Sequence, residues 1–234
     1  MTSPITRTMI ESLRQFDTPT ICNALELVIP ERRGYGFTVE HMVCRDPSMP
    51  PFVGLAKTAT IRAVAPSIRT GADASAHRVA YYEYVADTTL PTVSVIQDLD
   101  PNPGVGAFWG EVNTAIHKGL GCEGVVTNGS IRDLDQCAPG FQLLAGMIGP
   151  SHAFVHTVDF GGSVNVFGMT VSDGDLIHAD CHGAVVIPAQ VVNEIAGAVD
   201  LLVKREAVVL SCARAEGFSI EHLRQALSQA AEIH

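Results

Sequence analysis

Apolar and polar positions alternate along this chain with two different periods, and the switches between them outline the fold. Residues 53–64 alternate through Ala59, Ile61 and Ala63, the two-residue period of a strand. Upstream, Thr18-Pro19-Thr20 predicts an N-cap followed by proline in the first turn, opening a helix through Ile21, Leu25 and Val28. Residues 31–51 carry Gly34, Gly36, Pro47 and Pro50 without a sustained period, so an irregular excursion is expected there. A helix follows over 73–85 and a buried strand over 92–96.

The middle of the chain is the most regular. Val93-Ser94-Val95-Ile96 runs into a loop over 97–108 that contains Pro101, Pro103, Gly104 and Gly106. A helix is expected over 111–118, closed by Gly119 and Gly121, and then a short strand, Gly124-Val125-Val126-Thr127. Strand, loop, helix and strand in that order predict a parallel crossover. Beyond Phe141 the pattern changes to short strands and turns, the strongest turn being Ser172-Asp173-Gly174-Asp175 and the last strand 184–187. Two amphipathic helices, 188–214 and 219–233, close the chain. The sum is an α/β fold with a mixed sheet. A single domain over 1–234 is expected, with N-terminal helices and loop over 1–50 and a helical tail over 188–234.

Composition narrows the function. Hydrophobic residues make up 47% of the 234 positions and charged residues 17%, which excludes intrinsic disorder. A net charge of -10 argues against a nucleic-acid partner, whose phosphates call for clustered Lys and Arg. The mean hydropathy of +0.22 hints at apolar surface hidden between subunits. Apolar runs such as 143–149 fall well short of the roughly 20 residues that span a bilayer. The segment from Met1-Thr2-Ser3-Pro4 to Glu11, Arg14 and Asp17 lacks the apolar centre of a signal peptide. The six cysteines, at 22, 44, 122, 137, 181 and 212, show no zinc-like spacing and are expected to be reduced packing thiols in a cytoplasmic protein.

Candidate chemistry gathers in two segments. Gly110-Glu111-Val112-Asn113 opens the central helix, where free amides and the helix dipole favour an anion. Asn128-Gly129-Ser130-Ile131-Arg132-Asp133 follows the next strand, at the sheet edge where open α/β folds bind ligands. Arg132 can hold a carboxylate in two contacts, and Asp133 can offer a hard oxygen to Mg²⁺ or Mn²⁺. The crossover brings both segments together, although Glu111 alone can be a dipole-compensating residue and Arg132-Asp133 a solvated pair.

Other groups compete less well. His152 and His156, and His178 and His182, are four apart, which in strand context separates them by about 13 Å rather than pairing them on a metal. His152 or His178 alone is a candidate pocket acid. Gly104-Val105-Gly106 lacks the third glycine of a dinucleotide fingerprint. Lys118 is the sole lysine near the motif, and its place on the helix disfavours a Schiff base. Phe108 and Trp109 are expected to pack beneath the site.

Three segments carry a resemblance: Trp109-Gly110-Glu111; Gly121-Cys122-Glu123-Gly124-Val125-Val126-Thr127-Asn128-Gly129-Ser130-Ile131-Arg132-Asp133; and Gly174-Asp175-Leu176-Ile177-His178-Ala179-Asp180 with Gly183-Ala184-Val185-Val186-Ile187-Pro188. Over about 92–188 the chain resembles the RraA-like family. That family includes class II pyruvate aldolases acting on 4-hydroxy-4-methyl-2-oxoglutarate and 4-carboxy-4-hydroxy-2-oxoadipate, and regulators of RNase E. The resemblance implies a layered, swivelling β/β/α fold with C-terminal helices, assembled as homotrimers or homohexamers with sites between subunits. It implies that Asp133 holds a divalent cation, Arg132 contacts the pyruvyl group, amides near Gly110, Val112 and Asn113 take its carboxylate, and Glu111 positions a water. The aldolases also decarboxylate oxaloacetate.

The activity this implies is metal-dependent carbon–carbon cleavage of a small 2-oxo acid through a stabilised pyruvate enolate, with Mg²⁺ or Mn²⁺ as cofactor. One position departs from the aldolase pattern, Arg-Asp-x-x-Glu/Asp: here Arg132-Asp133-Leu134-Asp135-Gln136 places Gln136 at the acid and Asp135 one residue early. The regulators also lack that acid, so the alternative is a non-catalytic regulator that binds a protein partner. An acid from a neighbouring subunit also belongs to the aldolase site, with Asp200 or Glu206 as candidates. A third reading, drawn from the 31–51 and 97–108 loops, is a related lyase, hydratase or decarboxylase whose substrate is not a pyruvate precursor.

Overall fold

The structure, a computed structural model, describes residues 5–234; the first four residues of the segment read as lacking a signal lie outside it. Two short helices begin the chain, α1 (Arg7–Leu13) and α2 (Thr18–Val28). The N-cap of α2 is Asp17, whose carboxylate accepts from Thr20 N at 2.8 Å, so Thr18 is the first helical residue and not the cap expected. An oxygen one residue earlier reaches the third amide of the turn, and Pro19 still sits where its missing N–H costs nothing. Asp17→Ala should therefore lower stability by about 1 kcal/mol in urea unfolding.

After a 3-10 turn (Pro30–Gly34) the 31–51 excursion is irregular as expected, save for the two-residue strand β1 (Val43–Cys44). Then come β2 (Phe52–Arg62), α3 (Gly71–Ala86), β3 (Thr92–Asp98), β4 (Ala107–Trp109), α4 (Glu111–Gly119) and β5 (Cys122–Ile131). The loop expected over 97–108 thus ends in a strand, and the strand expected over 124–127 runs on to Ile131. Short strands complete the sheet: β6 (Gln142–Ile148), β7 (His156–Phe160), β8 (Val164–Val166), β9 (Met169–Val171), β10 (Leu176–Asp180) and β11 (Gly183–Ile187). Helix α5 (Val192–Ala213) starts four residues later than expected, after a 3-10 turn, and α6 (Ile220–Ala231) ends the fold. No helix among the described residues is long and apolar enough to cross a membrane.

The main sheet has the order β1-β6-β5-β3-β2-β10-β11, with β4 added to β5 and β7 to β2. Its centre, β6-β5-β3-β2, is parallel, and the antiparallel pairs lie at its ends. The crossover through α4 joins the parallel neighbours β3 and β5, as expected from the sequence.

Both faces of the parallel centre are covered, which is why consecutive apolar residues, Val95-Ile96 in β3 and Val125-Val126 in β5, interrupt any strict alternation. One face gathers Val93, Val95, Val126 and Leu144 under the β8–β9 hairpin, whose Val166, Phe167 and Met169 plug the curl of the sheet. The other gathers Ile96, Val125 and Leu143 with Tyr81 of α3, Trp109 and Phe141. Helices α1, α2 and α5 cover β10 and β11 through Ile10, Ile21, Ile195 and Leu176.

Candidate active site

A break in the sheet builds the site. Strand β5 follows β3 in parallel register as far as Thr127, and its pairing with β6 shifts between Thr127 and Ser130. At the break the Asn128 side chain replaces a stretch of ladder: its Oδ1 accepts from Asp98 N at 2.7 Å and its Nδ2 donates to Asp98 O at 3.1 Å. Beyond it, Ser130 and Ile131 pair with Ala107 and Trp109 of β4. Arg132 N then donates to Trp109 O at 2.9 Å, which sets the strand end against the start of α4.

Asp133 turns the chain away with φ of +53°, a conformation that Asp tolerates better than most residues. Its carbonyl accepts from Gln136 N at 2.9 Å and Cys137 N at 3.0 Å. The turn is pinned to α4 by Thr114, whose Oγ1 donates to Gly110 O at 2.8 Å and accepts from Ala138 N at 3.0 Å.

Four of the expected residues therefore meet. Gly110 is the N-cap of α4 and has no side chain to cap it. Asp133 Oδ2 lies 3.4 Å from Glu111 N and 3.5 Å from Arg132 Nε. Both distances are long for hydrogen bonds, and both side chains are about one-third exposed, at 36% for Arg132 and 30% for Asp133. Two oppositely charged groups thus stand loosely tied at a helix N-terminus, with contact capacity left for a ligand. Val112 is exposed, so the first turn faces outward.

Gly110 has a steric role. A Cβ there would lie 2.5 Å from Asp133 Oδ2 and 3.2 Å from Arg132 Cγ. Gly110→Ala should displace the Asp133 carboxylate while leaving β4 and β5 in place. The expected result is at least about a tenfold loss of any activity that depends on Asp133, with a far-ultraviolet circular dichroism spectrum like that of the parent.

Asn113 is more constrained than expected. Its Nδ2 donates to Phe108 O at 2.5 Å and its Oδ1 accepts from Tyr82 OH at 2.8 Å, so its side chain is tied to β4 and α3. Phe108 and Trp109 pack as expected, Trp109 fully buried and stacked on Phe141 with ring centroids 5.6 Å apart. Beside the first turn of α4 opens a cavity of about 420 Å³, lined among others by Val112, Asn113, Tyr82, Arg69, Arg78 and His156. Arg132 and Asp133 do not line it. The basic character of this cavity has no local signature in the sequence, because its walls come from three separate segments, residues 67–82, 108–113 and 155–157.

The histidines behave differently from one another. His178 is fully buried: its Nδ1 accepts from Thr18 Oγ1 at 3.0 Å, and its Nε2 faces the carbonyls of Leu13 and Phe16 at 3.2 Å and 3.0 Å. It fastens the α1–α2 turn to β10, which overturns its candidacy as a pocket acid. Burial pushes its pKa down, as a neutral donor–acceptor ring requires. His152 is exposed in the loop before β7, its Nδ1 against Ala153 O at 2.7 Å.

Sequence reasoning missed His117 of α4. Its Nδ1 donates to Asn113 O at 2.7 Å and its Nε2 accepts from Tyr81 OH at 2.8 Å, all beneath the site. Desolvation drives its pKa down to about 4.

The acidic candidates remain apart. Asp135 and Gln136 are exposed in the turn after Asp133. Asp200 and Glu206 are exposed on α5, which packs chiefly on α2 and α6. Among the described residues, Glu111, Asp133 and Asp135 do not form a compact three-ligand group.

A family model described as RraA-like, Aldolase/RraA, matches residues 18–186. The chain belongs to the RraA-like family. Solved structures share the RraA fold. An uncharacterized protein from Pseudomonas syringae pv. tomato superposes with a TM-score of 0.70 at 21% identity, covering 96% of each chain. Streptomyces coelicolor RraAS2, an unusual member of the RNase ES inhibitor RraA family, gives 0.64 at 23% identity over 87% of this chain and 94% of its own. The RNA-processing inhibitor RraA from Thermus thermophilis gives 0.51 at 19% identity over 70% of this chain and 90% of its own. No curated protein sequence matches the chain. RraA-like proteins include both aldolases and RNase E regulators, so membership leaves the activity to be argued from the site.

Proposed function

We propose that this RraA-like protein is a divalent-cation-dependent carbon–carbon lyase that cleaves a small 2-oxo acid and leaves pyruvate. The observation that supports it most is the meeting of Arg132 and Asp133 with the uncapped first turn of α4. Asp133 suits Mg²⁺ or Mn²⁺: it is a hard, partly exposed carboxylate in a space that Gly110 keeps open, and Mg²⁺ is commonly held by one or two carboxylates with water completing its shell. When bound, such a cation supplies Lewis-acid polarisation of the 2-oxo group.

The chain's own residues do the rest. The amides of Val112 and Asn113, at the positive end of the α4 dipole, take the substrate carboxylate. Arg132 sets its guanidinium against the 2-oxo oxygen, where negative charge grows as the C3–C4 bond breaks and its electron pair stays on the pyruvyl fragment. In decarboxylation CO₂ departs and no base is needed. In retro-aldol cleavage the 4-hydroxyl proton must leave, and Glu111, exposed beside Asp133, takes it through water as a carbonyl forms at C4. The part of the substrate beyond C4 points to the cavity beside α4, where Arg69 and Arg78 can hold a second carboxylate. A homotrimer or homohexamer would let Asp200 or Glu206 of α5 complete a neighbour's site.

The test is oxaloacetate with Mg²⁺, pyruvate being read by coupled NADH oxidation. Pyruvate release abolished by EDTA is expected; release no faster than the spontaneous rate overturns the reading. Gln136 favours a second reading, a non-catalytic regulator. That reading requires no turnover of any 2-oxo acid, and its partner would be a basic protein surface, given the net charge of -10.

A further inference from the structure

Strands β10 and β11 are joined by a tight turn in which Asp180 pairs with Gly183, leaving Cys181 and His182 at the tip. Asp180 is only 4% exposed, and backbone groups fix both of its oxygens: Oδ2 accepts from Thr18 N at 2.8 Å, and Oδ1 from His182 N at 2.8 Å. Against Oδ1 stands His182 Nδ1 at 3.1 Å, and Cys181 Sγ lies 3.6 Å from the same nitrogen. The three atoms all lie within 4.8 Å of one another, the sole such group of three potential ligands among the described residues.

Two of the three separations are close to those of ligands around a metal, and the third, from Cys181 Sγ to the carboxylate, lies within 4.8 Å. A tetrahedral Zn²⁺ has bonds of about 2.3 Å to thiolate and about 2.0 Å to imidazole nitrogen and carboxylate oxygen, so its S–N edge is about 3.5 Å and its N–O edge about 3.3 Å. The observed 3.6 Å and 3.1 Å each fall within about 0.2 Å of those edges. A hydrogen bond from His182 to Asp180 would explain the shorter contact but places no demand on the thiol. The carboxylate is also pre-fixed by two backbone donors, the buried Thr18 N and the half-buried His182 N, the outer support that metal ligands use. Sulfur, nitrogen and oxygen together select a borderline ion such as Zn²⁺ over Mg²⁺.

We propose that Asp180, Cys181 and His182 form a Zn²⁺ site with three protein ligands and a fourth position open to water. The site shares no residue with the Arg132–Asp133 site. On binding, the Cys181 thiol gives its proton to solvent and its sulfur becomes a thiolate ligand; the imidazole proton moves from Nδ1 to Nε2 as Nδ1 takes the ion. His182 is 56% exposed at its side chain, so the ion can enter from solvent. Burial pushes the pKa of the nearby Cys44 thiol up, and the charges of Cys181 and Asp180 add to that in the same direction.

The probe is Co²⁺, added to metal-stripped, reduced protein. A near-ultraviolet thiolate-to-cobalt band with the intense visible bands of tetrahedral cobalt is expected, bleached by one equivalent of Zn²⁺. Cys181→Ser should remove the thiolate band, and His182→Ala should weaken Zn²⁺ affinity by about tenfold or more. Both changes sit at the tip of the turn, Cys181 half-buried and His182 exposed, and Asp180 is left intact so that α2 keeps its anchor. Absence of the band in the parent protein overturns the proposal, as does a band that survives in Cys181→Ser. Unchanged Zn²⁺ affinity in His182→Ala also overturns it.

Discussion

Asp133→Asn is expected to lower EDTA-sensitive pyruvate formation from oxaloacetate by about 10²–10³-fold, and Arg132→Ala by a similar factor. Asparagine is the cleaner replacement at 133. It keeps the shape and accepts the φ of +53°, whereas alanine there would add about 1 kcal/mol of backbone strain. The two losses should differ in kind. Asp133→Asn should raise the Mg²⁺ concentration needed for half-maximal rate, because its amide is a poorer ligand than a carboxylate. Arg132→Ala should lower kcat at saturating Mg²⁺, because its guanidinium matters most when charge has moved onto the 2-oxo oxygen. Neither should unfold the protein: the Arg132–Asp133 contact is 3.5 Å long between partly exposed groups, a pair worth well under about 1 kcal/mol. Full rate in either variant would remove these residues from the chemistry.

Acidification should cost stability well before the carboxylates titrate. His117 is held neutral between Tyr81 and Asn113 with a folded pKa of about 4, while an unfolded histidine titrates near about 6.5. Between those values the unfolded chain binds a proton that the folded one does not, so stability falls as pH falls. The contribution is fully present above about pH 6.5 and is lost down to about pH 4, at a total of about 3 kcal/mol. His178, with its pKa also lowered, adds to the loss in the same direction. Asp98, whose pKa burial raises, acts oppositely, and only in the carboxylate range. Urea midpoints measured from pH 7 to pH 4.5 should fall steadily in the parent protein and less steeply in His117→Phe. A flat profile would mean that His117 is solvated or protonated in the folded state.

Much of the frame was legible in the sequence because local pattern and tertiary role agree. Strands β3 and β5 are covered on both faces and carry adjacent apolar residues at their centres, Val95-Ile96 and Val125-Val126, while α4 announces itself by its closing glycines. The crossover they form brings Glu111 and Arg132-Asp133 together, as the order of strand, helix and strand implied. What escaped depends on partners distant in the chain. Strand β4 exists because Ala107 and Trp109 find Ser130 and Ile131, and nothing within 97–108 signals that pairing. The break in β5 rests on one asparagine side chain standing in for backbone. His178 looked like a spare imidazole until Leu13, Phe16 and Thr18 closed around it. Asp180 likewise anchors Thr18, a link no spacing along the chain announces.

The activity turns on whether this site stabilises the enolate of pyruvate, and that can be measured without knowing the natural 2-oxo acid. Pyruvate is incubated in D₂O with the protein and Mg²⁺, and the methyl signal is followed by proton NMR. Loss of the methyl signal faster than the spontaneous exchange, abolished by EDTA and absent in Asp133→Asn, is the expected result. Exchange no faster than without protein, while pyruvate is shown to bind, would contradict the account.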